Sequence, residues 1–468
     1  MSGVYPIPGE ITDALAQWGA ELRYSDLPFA TVKHAAELVL DYLASAHAGH
    51  RVNSTFNYSL LEALKPIGNV GSSSVFFADR KSSPLCACYV NAAFAHGADL
   101  DDGNKSAAGH PGAVVTSALM ALAEDRGSSN ARFVEAMVVG YEVFCRLAAA
   151  CMPQMVSRGF HSTGTAGTLA AAAACAKLIG LDAEGIYNAI ALSASRSAGL
   201  LLVGETGQEA KPMNAAGAAC EGMLAALLAE QGAVGPERPL ESAKGWLHAM
   251  TDEPKLELLV GGLGDDYRLD ECYVKPWPSC RHTHSAIEAA LALRGGVDGR
   301  EVSRARVITY SHAIELAGMY AVPRTGAEAK FSIAYAIAVA LSRGHFSISD
   351  LDVGLLTDEE KSLAEAVELV VDDSYERPAE GVRGARVVIE LAGGAKLEHE
   401  VLVPRGDPES PFSFEDHVAK LADCCVCSNG ERLGTDEAAA FAGSLLNNLA
   451  RRDAAFEFPR NNEWEGIE

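Results

Sequence analysis

The fold is decided by an alanine-rich stretch at residues 158–180, which reads RGFHSTGTAGTLAAAAACAKLIG. Small apolar side chains fill it from position 165 onward, and Lys177 interrupts them. Such a run is too weakly hydrophobic to span a bilayer, so we predict a buried helix. Because the spacing of packed helices depends on the side chains at the contact, this composition favours closely packed helices.

Outward from this stretch, apolar residues recur at helical spacing over most of residues 11–268. The segments predicted to be helices are 30–46, 87–98, 115–124, 131–150, 167–179, 215–231 and 241–250. Gly and Pro separate these segments, as at Gly180 and Gly235. No repeat with a period of about 20 to 50 residues is present in the sequence, which argues against a helical solenoid.

The pattern changes near Tyr273. β-Branched residues at 305–310 predict a strand. Two alternating segments, 385–391 and 397–403, flank a Gly-Gly pair and predict a β-hairpin. Further helices are predicted from about residue 283, at 328–341, at 414–422 and at 437–451.

We therefore predict a mainly α fold with two domains. A large all-helical domain is formed by both chain ends, residues 1–268 and 405–468. A smaller α+β lid domain, residues 269–404, is inserted between them. A cleft between the two domains is the expected ligand site.

The chain is strongly acidic, because 62 Asp and Glu residues against 38 Lys and Arg residues give a net charge of −24. Nucleic acids and anionic membranes bind basic surfaces, so neither is expected as a partner. The N-terminus carries no pattern of a signal peptide, and the 11 cysteines form no regular framework. These features predict a cytoplasmic protein with reduced thiols.

Four polar segments lie between the helices of small residues. The first contains Asp99, Lys105 and His110, and it suits either a solvated loop or a functional site. The second sets His161 before Ser and Thr at a helix N-terminus, where an anion would be stabilised. The third places Lys211 directly before Pro at the start of another apolar helix, beside a second positive helix end.

The fourth polar segment, KPWPSCRHTH at residues 275–284, is the densest cationic stretch of the chain. Lys275, Arg281 and backbone amides there fit a clamp for a carboxylate. The residues that we expect to bind substrate are Lys105 of the first segment and, in this segment, Lys275, Ser279, Cys280, Arg281, His282 and His284.

The sequence favours chemistry without a metal or a cofactor. His282 and His284 have no third ligand nearby, and the cluster at Cys424, Cys425 and Cys427 has no second pair at zinc-ribbon distance. A phosphate loop, a nucleophile elbow, a zinc-protease helix and an iron–sulfur pattern are also missing from the sequence. The chemistry that these missing motifs leave open is proton transfer by His, Lys and Tyr.

Four blocks of the chain resemble the signature blocks of the MmgE/PrpD family in order and spacing. They are RGFHSTGTAGTLAAAAACAKLIGL, KPMNAAGAAC, KPWPSCRHTH and GDPESPFSFEDHVAK. The family includes 2-methylcitrate dehydratase, cis-aconitate decarboxylase and iminodisuccinate epimerase. The resemblance implies a helical domain with an α+β lid, a homodimer, and neither an organic cofactor nor a metal. The catalytic residues that it implies are Asp99, His110, His161, Lys211 and Tyr320, with Lys275 beside them in the cleft.

Two departures from the family pattern bear on the reaction. Cys280 follows the Pro-Ser pair of the fourth block, where the decarboxylase branch carries His, and this disfavours cis-aconitate decarboxylation. The first block reads Asp-Asp-Gly-Asn at 101–104, where the dehydratase and decarboxylase branches tend to carry Asp-Asp-Thr-Trp.

The reaction that we expect is a cofactor-independent, dehydratase-like lyase reaction on a small di- or tricarboxylate. It would begin with removal of a proton α to a carboxylate, with His110 or His161 as the base and the other as the acid. The alternatives are an epimerase or racemase of a dicarboxylate, a cis-aconitate decarboxylase, and an inactive relative that only binds the ligand.

Overall fold

The computed structural model describes residues 10–52, 54–68, 70–78, 81–202, 209–297, 302–425 and 432–457. The chain is mainly helical, as predicted. It divides into two compact units. The first unit comprises Met1–Gly97, Asp101–Tyr273 and His417–Glu468, and the second comprises Ala98–Leu100 and Val274–Asp416.

Helices build most of the first unit. Up to residue 260 they are Ile11–Glu21, Phe29–Val52, Ser54–Leu64, Pro84–Ala95, Pro111–Arg126, Asn130–Cys151, Gln154–Ser157, Ser162–Ile179, Ala183–Ala194, Pro212–Glu230, Trp246–Met250 and Glu257–Val260. Phe414–Cys424 and Thr435–Leu449 follow near the chain end. Short antiparallel pairs join Ser73–Ser74 to Lys81–Ser82 and Gly103–Asn104 to Cys272–Tyr273.

The predicted helices of the first half are confirmed except at 241–250, where the helix begins only at Trp246. The physical reason is a tight turn. The backbone N–H of Trp246 donates to Pro239 O at 2.8 Å. Gly245 lies so close that a Cβ there would be 2.8 Å from the same carbonyl oxygen. The chain therefore turns before it can become helical.

The Ser162–Ile179 helix is the predicted buried helix, since every residue from Ser162 to Leu178 is buried. It packs against Asn130–Cys151 and Pro212–Glu230, and small side chains let these helices approach closely. The buried ammonium of Lys177 is satisfied by Ala20 O at 3.2 Å, at the end of another helix. Among the described residues, no helix combines the length and the apolar character that a membrane crossing requires.

The second unit is built on a four-stranded sheet with the order Lys396–Val401, Ala385–Leu391, Val302–Thr309, Val367–Val371. The first two pairings are antiparallel and the last is parallel. Its helices are His284–Val297, Ser311–Ala317, Gly326–Ala329, Ile333–Arg343 and Asp358–Glu365. A short pair, Glu376–Arg377 with Val382–Arg383, completes the described strands.

Apolar side chains from the helices and the sheet form the core of the second unit, among them Ala290, Ile337 and Val387. The predicted hairpin is confirmed, with Leu397 opposite Ile389. The predicted helix at 328–341 is interrupted instead. Ser332 caps a new helix by accepting from the backbone N–H of Tyr335.

Candidate active site

His110 stands at the N-terminus of the Pro111–Arg126 helix. Its backbone N–H donates to Thr163 Oγ1 at 3.1 Å, and its Nδ1 lies 2.6 Å from the backbone oxygen of Asp102. A carbonyl oxygen can only accept, so Nδ1 must carry the proton of the neutral ring. The lone pair of His110 is therefore on Nε2, which is the arrangement of a base.

His161 stands at the N-terminus of the buried Ser162–Ile179 helix. Its Nδ1 lies 3.0 Å from Asn214 Nδ2, and the same amide nitrogen lies 3.1 Å from Leu200 O. The Leu200 carbonyl can only accept, so the Asn214 atom that lies 3.1 Å from it is the N–H donor, which fixes the orientation of the amide. The second N–H of that amide then points to His161 Nδ1, so the proton of the neutral ring is on Nε2.

A third imidazole, His96, lies beside these two. It is fully buried, and its Nδ1 lies 2.8 Å from Asp101 Oδ2. Its ring centroid is 5.1 Å from that of His110 and 5.6 Å from that of His161. Asp101 Oδ2 is also 3.8 Å from His110 Nδ1. His96 was not predicted from the sequence, although it stands only five positions before Asp101.

His96, Asp101 and His110 could together hold a metal ion, because one possible ligand atom from each lies within 4.8 Å of the others. Two imidazoles and a carboxylate are a donor set that suits zinc. In His110, however, Nδ1 already donates to Asp102 O, which leaves Nε2 as its only ligand atom. The expectation of metal-free chemistry stays a prediction.

The side chain of Asp102 connects the loop before His110 to two helices, Pro111–Arg126 and Asn130–Cys151. Its Oδ1 accepts from the backbone N–H of Gly112 at 3.0 Å, and its Oδ2 accepts from Tyr141 OH at 2.9 Å. Burial raises the pKa of the Asp102 carboxyl well above its usual value, and the carboxylates of Asp41 and Asp101 add to this.

Lys105 and Lys211 lie in the same unit as the three histidines. Both side chains are half-buried. Lys105 follows the Gly103–Asn104 strand, and Lys211 directly precedes the Pro212–Glu230 helix that carries Asn214. Two of the four polar segments identified in the sequence thus lead into the helix that follows His110 and the helix that carries Asn214.

Lys275 and Asp99 form a buried pair in the second unit. Lys275 Nζ donates to the backbone oxygen of Asp99 at 2.8 Å and lies 3.5 Å from its Oδ2. Lys275 is 1% exposed, so this contact is well shielded from water. Asp99 adopts a left-handed conformation with φ 55°. Its role in the structure is that of a counter-ion for Lys275.

Arg281 is also buried and paired. Its Nη2 lies 2.5 Å from Asp407 Oδ1, and its Nε donates to the same oxygen at 3.1 Å. Asp407 itself is fully buried. The guanidinium that was expected to bind a substrate carboxylate is thus engaged by a carboxylate of the protein.

The other predicted residues of this segment make contacts inside the second unit. Ser279 Oγ lies 2.7 Å from Thr283 Oγ1, and the backbone N–H of Cys280 donates to Lys330 O. His284 is fully buried, with Nε2 3.3 Å from Ser279 O. Burial lowers the pKa of His284 well below its usual value, and the nearby Arg281 charge adds to this.

His282 and Tyr320 complete the predicted set. His282 Nδ1 lies 2.5 Å from Tyr310 OH, and burial, reinforced by the charge of Arg383, lowers the pKa of His282 well below its usual value. Tyr320 is half-buried, and its backbone oxygen accepts from Ser332 Oγ. The structure thus gives His282 a hydroxyl partner, Tyr310, that the sequence did not indicate.

Comparison with known proteins assigns the chain to a family. Residues 13–259 match the MmgE/PrpD N-terminal domain, and residues 277–441 match the MmgE/PrpD C-terminal domain. The cis-aconitate decarboxylase-like protein oryM of Aspergillus oryzae is 28% identical, over 91% of this chain and 92% of its own length. The cis-aconitate decarboxylase of Aspergillus terreus is 26% identical, over 85% and 86%. The human cis-aconitate decarboxylase is 27% identical, over 61% and 60%. The chain belongs to the MmgE/PrpD family.

Proposed function

We propose that the protein is a lyase that acts on a small di- or tricarboxylate by proton transfer beside a carboxylate, with His110 as the base and His161 as the donor. One observation carries the assignment of roles. The hydrogen-bond partners of the two rings favour opposite tautomers, with the lone pair on Nε2 in His110 and the proton on Nε2 in His161.

The first step would break a C–H bond α to a carboxylate. His110 Nε2 would take the proton, and negative charge would build up on the carboxylate oxygens. In a dehydration, the β-hydroxyl would then leave with the electron pair of its C–O bond and take up the Nε2 proton of His161 as water forms. His110 must lose its new proton and His161 must regain one before the next turnover, so no proton is consumed overall.

Cationic residues would stabilise the charge that develops. We assign Lys211 and Lys275 to carboxylate binding, because each directly precedes a Pro in a polar segment that leads into a helix. Arg281 is the weaker candidate, since it already holds Asp407. The reaction needs no organic cofactor.

The second candidate is cis-aconitate decarboxylation, which the names of the relatives favour. Loss of CO2 itself supplies the electron pair, so this reaction needs a proton donor but no base to remove a C–H proton. An epimerase would need both the base and the donor, acting on opposite faces of one carbon. The three reactions therefore depend differently on His110.

The test is to incubate the protein with a panel of hydroxy-, unsaturated and amino-dicarboxylates and tricarboxylates in heavy water, with and without EDTA. NMR would follow deuterium uptake and product, and a CO2 assay would run beside it. We expect an unsaturated product to form without release of CO2, and we expect EDTA to leave its rate of formation unchanged. His110→Gln and His161→Gln should each lower kcat by roughly 100-fold or more, because each group transfers a proton.

Three outcomes would contradict the proposal. CO2 release that survives in His110→Gln but not in His161→Gln would establish the decarboxylase. Deuterium exchange at an inverted carbon without loss of water would establish the epimerase. Activity that disappears with EDTA and returns with one metal would move the chemistry to the trio of His96, Asp101 and His110.

A further inference from the structure

We propose that Asn214 is a positioning residue that sets the tautomer of His161, so that this ring presents N–H rather than a lone pair at Nε2. The inference deepens the proposed function and rests on it for its catalytic consequence. The tautomer itself is a property of the protein alone and can be measured without a substrate.

The Leu200 carbonyl that orients Asn214 is fixed to the backbone around His161. The N–H of His161 donates to Gly199 O at 3.0 Å, and the N–H of Leu201 donates to Gly159 O at 2.9 Å. Residues on both sides of Leu200 are thus paired with residues on both sides of Phe160, its antiparallel partner. The donor, its second acceptor and the imidazole therefore belong to one closed loop of hydrogen bonds.

Gly199 makes room for the Asn214 amide in this loop. Its φ is 140°, a conformation that side chains with a Cβ rarely adopt. A Cβ at this position would lie 3.3 Å from Asn214 Cγ and 3.2 Å from Gly164 Cα. The absence of a side chain at Gly199 thus lets the backbone pass close to the amide beside His161.

The alternative arrangements are unfavourable. A rotated Asn214 amide would place its oxygen against Leu200 O, so that two acceptors face each other without a proton. A second proton on His161 would make Nδ1 a donor facing the Asn214 N–H. The N-terminus of the Ser162–Ile179 helix also disfavours positive charge on this ring. Of these arrangements, the favourable one is neutral His161 with the proton on Nε2.

Replacing the Asn214 amide by a carboxylate should move the proton of His161 from Nε2 to Nδ1. In Asn214→Asp the side chain can only accept, so it should draw a proton to His161 Nδ1. In Asn214→Ala the donor is lost, and His161 should populate both tautomers. Asn188→Asp is the matched control, because Asn188 lies in another helix of the same unit and uses its amide oxygen to accept from Gly235 N–H.

The experiment is ¹⁵N NMR of protein labelled at its histidines, with the His161 signals assigned as those missing from His161→Gln. We expect the Nε2–H tautomer in the wild type and in Asn188→Asp, and a protonated Nδ1 in Asn214→Asp. A wild-type Nδ1–H tautomer, or an unchanged His161 spectrum in Asn214→Asp, would overturn the inference. If Asn214→Asp does not fold, the His161 tautomers measured in the wild type and in Asn214→Ala test the inference.

Kinetics separate this inference from the proposed function. Asn214→Asp should lower kcat by roughly 10- to 100-fold with a smaller change in KM, and should alter the pH profile, because a proton donor is lost. The wild-type tautomer as proposed, together with a fully active His161→Gln, would reject the catalytic role of His161 and leave the inference about Asn214 standing.

Discussion

Among single residues, Asp102 is a buried carboxyl whose ionisation the fold opposes. Its pKa is raised above the usual 3.8 by burial and by the Asp41 and Asp101 carboxylates. Above about pH 4 the unfolded chain loses this proton while the folded protein keeps it, so Asp102 makes the fold less stable as the pH rises. Asn has no proton to lose. Asp102→Asn should therefore gain unfolding free energy relative to the wild type between pH 4 and pH 8.

Urea unfolding of both proteins at the two pH values would measure this difference. Asp436→Asn is the control, because Asp436 is exposed in the first turn of the last described helix, where a negative charge is favourable, so this substitution should not gain stability as the pH rises. A difference between Asp102→Asn and the wild type that is equal at pH 4 and pH 8 would show that Asp102 is ionised in the fold.

For single residues, the sequence predicted which residues would lie in the candidate site better than it predicted their hydrogen-bond partners. His110 was found because it stands between Gly and Pro, and His161 because it precedes Ser and Thr at the start of the alanine-rich helix. His96 was missed because it ends an ordinary apolar helix and becomes informative only through its contact with Asp101. A tautomer depends on which carbonyl or amide the fold brings to a ring nitrogen, and sequence spacing contains no such information.

For whole elements, the packing of Pro212–Glu230 against Ser162–Ile179 depends on Gly222. A Cβ at this position would lie 2.5 Å from Thr168 O and 2.5 Å from Ala171 Cβ. Gly222→Ala should therefore push apart the helix that carries Asn214 and the helix that follows His161, at a cost of about 1–3 kcal/mol. Gly217→Ala is the matched control in the same helix, since a Cβ there meets nothing within 4 Å.

Thermal unfolding would compare these two glycine variants. Gly217→Ala should gain about 0.5–1 kcal/mol from the better helix propensity of Ala. Gly222→Ala should lose stability, and its Asn214–His161 hydrogen bond should weaken as well, which the His161 signals would report. Equal stabilisation by both substitutions would show that the two helices do not need this close approach.

Elements with a strong local pattern were predictable from the sequence, and those with tertiary causes were not. The hairpin at 385–401 is built from two segments that flank a Gly-Gly pair, and its turn residue Gly394 has φ 81°. The Val367–Val371 strand was missed, because it is short and gains its hydrogen bonds from a parallel partner distant in the sequence, Val302–Thr309. The break at Ser332 was also missed, because one serine cap interrupts an otherwise apolar helical pattern.

For the whole molecule, the net charge of −24 bears on the homodimer that the family resemblance implies and that we propose here. Two such chains repel each other, and salt screens the repulsion because the Debye length falls from about 30 Å at 0.01 M to about 10 Å at 0.1 M. The dimer should therefore become tighter as salt rises from about 0.02 M to about 0.3 M.

Light scattering over a dilution series would measure this, with one chain at 49.2 kDa as the reference mass. We expect a mass near twice that value, which falls on dilution first at low salt. The mass of one chain at every salt and protein concentration would reject the dimer. A dimer that weakens with salt would mean that ion pairs between the copies outweigh the net repulsion.

The burial of Ser162–Ile179 on every side also limits how this protein can change over generations. An amphipathic helix has a solvent face on which substitutions accumulate at little cost, but this helix has none between Ser162 and Leu178. A lineage that adopts a new substrate must therefore leave the central helix nearly untouched. Its variation would gather at half-buried positions such as Lys105. A library for directed evolution would therefore keep the Ser162–Ile179 helix constant and vary the half-buried positions.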